Sequence, residues 1–177
     1  MNLALFGGSF DPPHFGHTSI IKMALNTLKI DKLIVMPTYI SPFKDKFSAP
    51  PELRLKWIKT LWGDLDRVEI SNYECEQNRP VPTIETTKYL KNLYNPENFY
   101  LLLGADHMPN LHKWHNFDEL NKMVKFIVAK RDDFSIPLGL EIMDTHVHIS
   151  SSMVRLGDGL DKIDDKIKDE VIKFYKG

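Results

Sequence analysis

The chain has 177 residues, 42% of them hydrophobic, and its 23 basic and 24 acidic side chains give a formal net charge of −1. That length can bury one good core, so a single domain spanning 1–177 is expected, and near-zero charge leaves no basic face for bulk nucleic-acid binding. No apolar run approaches the ~20 residues that cross a bilayer and no basic segment precedes an apolar stretch at the N-terminus, so neither a membrane partner nor an export signal is expected, and one cysteine, Cys75, suits a reducing cytoplasm.

Leu3 to Phe6 reads as a short buried strand that runs into Gly7 and Gly8. The segment that follows, Ser9-Phe10-Asp11-Pro12-Pro13-His14-Phe15-Gly16-His17, is a tight loop leading into a helix expected from about His17 to Leu28. Glycines let a backbone approach an anion closely, and the free N–H groups of a helix start favour negative charge. His14 and His17 stand three residues apart, which puts both imidazoles on one side with only hydrogen on Gly16 between them. A phosphate fits there.

Further strands are expected at Lys32 to Met36, Arg67 to Ser71, Phe99 to Gly104, Lys125 to Ala129 and Thr145 to Ile149. Helices are expected at Pro51 to Trp62, Thr83 to Leu93, Asp118 to Met123, and from Ser151 through the C-terminus. In the last, Leu160, Ile163, Ile167, Val171 and Phe174 share one face. Strand–helix alternation with short connections predicts an α/β fold with a doubly wound parallel sheet, whose ligands bind beyond the C-terminal strand ends at the switch point. The loops after the first, second, fourth and last strands then meet at one edge. Thr38 to Pro51 is the longest irregular segment, and Lys44 and Lys46 make it a candidate flap over substrate.

Several candidate site residues also have ordinary structural readings. One of Ser150, Ser151 and Ser152 can cap a helix, but capping leaves Arg155 unexplained, and an arginine one turn into that helix reaches the anion its N–H groups hold. Asp106, beyond Gly104, can cap a turn or accept hydrogen bonds from a ribose hydroxyl pair. Trp114 can be core. His107, His112 and His115, or His146 and His148, suggest a metal site, yet histidine spacing without a supporting carboxylate shell is weak ground for a protein-ligated ion, and none is expected. Glu74 and Glu76 disfavour a thiolate at Cys75, which reads as structural.

Gly7-Gly8-Ser9-Phe10-Asp11-Pro12-Pro13-His14-Phe15-Gly16-His17 resembles the HxGH loop of the nucleotidyltransferase superfamily. Ile149-Ser150-Ser151-Ser152-Met153-Val154-Arg155 resembles its second motif, ISS-x-x-x-R. Leu103-Gly104-Ala105-Asp106 followed by Trp114 is similar to the G-x-D…W segment of the bacterial nicotinate-nucleotide adenylyltransferase family, the closest resemblance within that superfamily. The resemblance implies a Rossmann-like nucleotidyltransferase fold and transfer of the adenylyl group of ATP to nicotinate mononucleotide. It implies His14 and His17 as the catalytic pair. It implies ATP contacts from Gly7, Gly8, Ser9, Phe10, Gly16, Gly104, Asp106, Ile149, Ser150, Ser151, Ser152 and Arg155, the last motif serving the β- and γ-phosphates, with Mg²⁺ bound with ATP. On the mononucleotide side it implies Thr83, and Trp114 stacked on the pyridine ring, with Lys44 as a flap contact.

The chain departs from the family twice. Pro42-Phe43-Lys44 stands where the family has Pro-His-Lys, and Val81-Pro82-Thr83 where it has Ser-Tyr-Thr. Both changes fall on the mononucleotide side. Phosphopantetheine adenylyltransferases share the second motif but carry T-x-G-H in the first. A class I aminoacyl-tRNA synthetase fragment would need a KMSKS-like loop and a basic tRNA surface. A nucleotide-binding module without catalysis would have no use for both histidines and Arg155. Self-association into a homo-oligomer is left open by the sequence.

Overall fold

The computed structural model describes residues 1–130, 140–145 and 147–177. Six parallel strands form one sheet in the order β3-β2-β1-β4-β5-β6. They are β1 (Asn2–Gly8), β2 (Lys32–Pro37), β3 (Val68–Ile70), β4 (Asn98–Gly104), β5 (Lys125–Lys130) and β6 (Glu141–Asp144). The chain moves outward one way from β1 to β3 and the other way from β4 to β6, so the crevice beyond the C-terminal ends of β1 and β4 is the switch point of a doubly wound α/β sheet.

Side-chain alternation along the strands sorts the core onto two faces. Leu3, Leu5, Ile34, Met36, Leu101, Leu103, Phe126 and Val128 point to one face, where they pack with Ile84 and Leu90 of α4 (Thr83–Tyr94) and Leu120 of α5 (Phe117–Met123). Ala4, Phe6, Leu33, Val35, Leu102, Ile127 and Ala129 point to the other, against α1 (Phe15–Thr27) and α2 (Pro51–Trp62). Both faces are covered, which explains why the strands read as near-continuous apolar runs. A third cluster joins Trp57 of α2 to Ile149, Val154, Ile163, Ile167 and Val171.

Sequence signals set most helix ends. Pro51 opens α2, Pro82 precedes α4, and Asn95 closes α4 in the left-handed region with φ 44°.

Two expectations need correction. The last strand is Glu141–Asp144, not Thr145 to Ile149: these four residues pair with β5 from Ile127 to Lys130. Thr145 instead donates its hydroxyl to the Lys130 carbonyl at 3.1 Å, and Ile149 turns into the third core cluster. His146 of that expected strand lies outside the described residues.

The C-terminal helix is broken into α6 (Ser151–Arg155), a 3-10 turn at Leu160–Lys162, and α7 (Asp165–Lys176). Gly157 and Gly159, both at positive φ, interrupt it, and Asp164 caps α7 by accepting from the Lys166 N–H at 2.9 Å. Ile163, Ile167 and Val171 are buried as the shared face predicts, whereas Phe174 at its far end is exposed.

Two short elements have no counterpart in the sequence reading, the helix α3 (Tyr73–Glu76) and the 3-10 stretch Ala105–Lys113. No helix among the described residues is long and apolar enough to cross a membrane.

Candidate active site

A cleft of about 500 Å³ opens over the C-terminal ends of β1 and β4. Its floor is the loop after β1. Gly16 lets that loop close on itself, because a Cβ there would stand 2.9 Å from the His14 ring and 3.2 Å from Ile149. His14 caps α1 from an extended conformation, and its N–H donates to His17 Nδ1 at 3.2 Å. The two imidazoles are stacked, with centroids 3.7 Å apart and planes 20° from parallel. Phe10 fills the space beneath, edge-on to His17 at 4.9 Å and in contact range of Phe6 and Trp62. The histidines therefore have a rigid aromatic backing and face the cleft together.

Cations flank them. Arg155 on α6 donates Nη1 to the Asp11 carbonyl at 2.6 Å and Nη2 to Ser152 Oγ at 3.1 Å, while Ser151 Oγ donates to the Pro12 carbonyl at 2.8 Å. Ser150 supplies the cap, accepting from the Met153 N–H at 3.2 Å. The second motif is thus fastened to the first. Partial burial lowers the Lys44 pKa, and the nearby Arg155 charge lowers it further, as expected where cations converge on an anion site.

Beside β1, Gly104 ends β4 and Asp106 stands in the first turn of the 3-10 stretch that follows. A Cβ on Gly104 would collide with Asp106 Oδ1, so glycine allows the carboxylate to fold back over the strand end. The 3-10 stretch then brings Trp114 to the cleft wall, half-buried against the core, with its Nε1 buried and without a hydrogen-bond partner among the described residues. His107 meets the indole edge-on at 5.6 Å and Phe43 faces it at 6.5 Å.

The cleft gathers His14, His17, Gly7, Gly8, Ser9, Phe10, Gly104, Asp106, Ser150, Ser151, Ser152, Arg155, Lys44, Thr83 and Trp114. Gly16 and Ile149 are not on its wall; they pack against each other behind the histidines. Lys46 lies off the cleft, beside a small hollow near Arg54. Among the described residues no group of three or more His, Cys, Asp or Glu could hold a metal ion.

Three buried polar residues were missed by sequence reasoning. Arg54 is 1% exposed and donates to the carbonyls of Ala49, Ser9, Thr38 and Tyr39 at 2.7 to 2.9 Å, tying the loops after β1 and β2 to α2. Asp11 accepts from the N–H groups of Ser48 and Ala49 at 2.8 and 2.9 Å and from the Tyr175 hydroxyl. An arginine in an amphipathic helix and a loop aspartate carry no sequence signal that they will be buried. Glu74, on α3, lines the cleft as well. Burial pushes its carboxyl up to about 7, a hydrogen bond from Thr86 opposes this, and the Glu85 charge adds to it. Burial also raises the Cys75 thiol to about 11, a larger cause than its carboxylate neighbours, and Cys75 Sγ donates to the Pro37 carbonyl at 3.4 Å.

A glycine loop and paired histidines at the switch point of a parallel sheet, locked to a Ser-Arg helix start, define a nucleotidyltransferase site. Comparison agrees: the model of the family described as Cytidylyltransferase-like matches residues 5–157. A Campylobacter jejuni protein named as a probable nicotinate-nucleotide adenylyltransferase is 53% identical over 176 residues, spanning 99% of this chain and 97% of that protein. A Nitratiruptor protein of the same name is 41% identical, spanning 99% of each chain. The chain belongs to the nicotinate-nucleotide adenylyltransferase family. Among solved structures, Plasmodium falciparum nicotinic acid mononucleotide adenylyltransferase complexed with NaAD has the same fold, with TM-score 0.80 at 21% identity over 99% of this chain and 97% of that one.

Proposed function

We infer that the protein transfers the adenylyl group of ATP to nicotinate mononucleotide, releasing pyrophosphate and forming nicotinate adenine dinucleotide, as a cytoplasmic step of NAD biosynthesis carried out by one nucleotidyltransferase domain. The observation that carries this reading is the stacked pair His14 and His17 facing a cleft whose other walls are a phosphate-type helix start and an exposed-edge tryptophan. Family membership supports the choice of acceptor.

A phosphate oxygen of the mononucleotide attacks the α-phosphorus of ATP in line. The new O–P bond forms as the bond to the bridging oxygen breaks, and that electron pair leaves with pyrophosphate. The substrate phosphate is already a nucleophile, so the protein contributes positioning and charge stabilisation. His14 and His17 stabilise charge on the α-phosphate and bridging oxygen. Ser9 and the N–H groups of Gly7 to Phe10 hold the phosphates, and Arg155, Ser150, Ser151 and Ser152 take the leaving pyrophosphate. Lys44 reaches in from the flap, and Asp106 accepts from the ribose hydroxyls. Trp114 stacks on the pyridine ring, and Thr83 meets it from the N-terminus of α4.

Mg²⁺ fits this site as an ion carried by ATP. Asp11 is fully engaged by two N–H groups and the Tyr175 hydroxyl and Asp106 serves the ribose, so the ion would be held mainly by ATP's phosphate oxygens and water, as Mg²⁺ prefers. Carried on the phosphate oxygens, the ion would neutralise phosphate charge beside Arg155.

The reading is tested by steady-state competition between nicotinate and nicotinamide mononucleotides at saturating ATP. A higher specificity constant for the nicotinate form is expected, and equal constants would move the protein to another branch of the superfamily.

A further inference from the structure

Glu74 lines the cleft and takes part in none of these steps. It sits on α3, 5% exposed, and lines the same cleft as Val81, Pro82, Thr83 and Trp114. Thr86 Oγ1 donates to its Oε1 at 2.5 Å, while Oε2 is buried and has no hydrogen-bond partner among the described residues. Folded proteins rarely leave a buried polar atom unpaired, and an unpaired atom on a ligand-cleft wall is one that a ligand group can complete.

Resting on the adenylyl-transfer reading, we propose that Glu74 is a specificity-determining residue that senses the substituent on the acceptor's pyridine ring. As a neutral acid it donates its Oε2 proton to the carboxylate of the nicotinate form; as a carboxylate it accepts from the amide N–H of the nicotinamide form. Two carboxylates cannot both stay ionised at hydrogen-bond distance in a dry site, so the nicotinate complex holds one shared proton. Binding of nicotinate mononucleotide to the ionised enzyme takes that proton from solvent.

The surroundings suit a proton-sharing acid. From α4, Thr86 and the Glu85 carboxylate face Glu74; on its own helix the titratable neighbours are Tyr73, Cys75 and Glu76. Arg54 of α2 acts on Cys75, and its guanidinium is committed to the carbonyls of Ala49, Ser9, Thr38 and Tyr39. No ion pair to Glu74 exists among the described residues, and Val81 beside it is buried. Burial and the Glu85 charge hold the acid neutral up to about pH 7, where a change of one unit alters its state.

The test is the ratio of the nicotinate to the nicotinamide specificity constant, measured from pH 6 to 8.5. Taking the ratio removes groups that both reactions share, including His14, His17 and the acceptor phosphate. The wild-type ratio should fall by about two orders of magnitude over this range, tenfold per pH unit, as Glu74 ionises, and calorimetry at pH 8 in buffers of different ionisation enthalpy should show proton uptake with the nicotinate form only. Glu74→Gln should flatten the pH dependence. Thr86→Val removes the donor to Oε1 and should shift the midpoint to higher pH, which keeps the proposal testable if the glutamine variant does not fold. A wild-type ratio constant across the range, or an unchanged slope in Glu74→Gln, would overturn the proposal while leaving adenylyl transfer intact. Absence of dinucleotide from either acceptor at every pH would overturn the activity itself, and the proposal with it.

Discussion

The rings of Phe43 and Trp114 face each other across the mouth of the cleft, with centroids 6.5 Å apart and planes 36° from parallel. Trp114 is half-buried on the core side, whereas Phe43 stands 61% exposed on the loop after β2. An aromatic ring needs ~3.5 Å to each neighbour it stacks on, so small rotations of the Phe43 loop would admit one between them. Phe43→Ala should therefore weaken mononucleotide binding about threefold to tenfold, the scale of one aromatic contact, with thermal midpoint and ATP affinity nearly unchanged. Separate titrations of the two substrates check it; parallel losses would contradict the assignment.

Trp114→Ala combines two effects because the indole both lines the cleft and packs on the core. Mononucleotide affinity should fall roughly fivefold to tenfold, alongside a stability loss below the ~3–5 kcal/mol of a fully buried tryptophan. A full-sized loss in urea unfolding with ATP and mononucleotide affinity impaired together would assign the residue to the core alone.

His17→Ala should reduce turnover by about two to three orders of magnitude, the scale for one transition-state donor, while ATP still binds. The stacked geometry adds a second expectation. The His14 N–H loses its acceptor at His17 Nδ1, so the loop should loosen locally without unfolding the domain. Pre-steady-state turnover and hydrogen exchange across Phe10 to Thr18 measure the two effects separately.

Much of this site was legible because its chemistry is local in the chain. Two glycines, two histidines and a strand-to-helix turn fall within one short segment, and parallel-sheet topology dictates that segments following different strands meet. Topology alone therefore puts the glycine and histidine loop, Arg155 and Trp114 at one edge. What the sequence hid is non-local. Arg54 becomes part of the site's frame only when loops distant in sequence offer it carbonyls, and Glu74 only when α4 covers it. The last strand was misplaced because the Thr145 to Ile149 segment alternates like a strand while β5, remote in sequence, pairs with Glu141–Asp144 instead.

Arg54 has a testable weight in that frame. Arg54→Met leaves the carbonyls of Ala49, Ser9, Thr38 and Tyr39 without their buried donor and should cost about 3 kcal/mol or more of stability. The loops it ties carry Ser9 and the Lys44 flap, so KM for both substrates should rise together, unlike the acceptor-only effect of Phe43→Ala. Urea unfolding and paired kinetics check it.

Glu74 also makes stability depend on pH in a direction opposite to most carboxylates. Its ordinary value is 4.5 and folding raises it to about 7, so the folded state holds the proton more tightly. Between those values the unfolded chain has released a proton that the folded chain retains, and stability falls as pH rises through that window, by at most about 3 kcal/mol for the whole shift. Glu74→Gln removes this loss. Relative to wild type it should gain stability between pH 4.5 and 8, and a difference in unfolding free energy that stays constant over that range would contradict a buried, neutral Glu74.

The most direct measurement of the central claim follows the α-phosphate of labelled ATP in the presence of nicotinate mononucleotide. The account predicts label in a dinucleotide formed one-for-one with pyrophosphate, and loss of both products in His17→Ala with ATP binding retained. Pyrophosphate without a labelled dinucleotide, or label passing only to an acceptor such as phosphopantetheine, would contradict it.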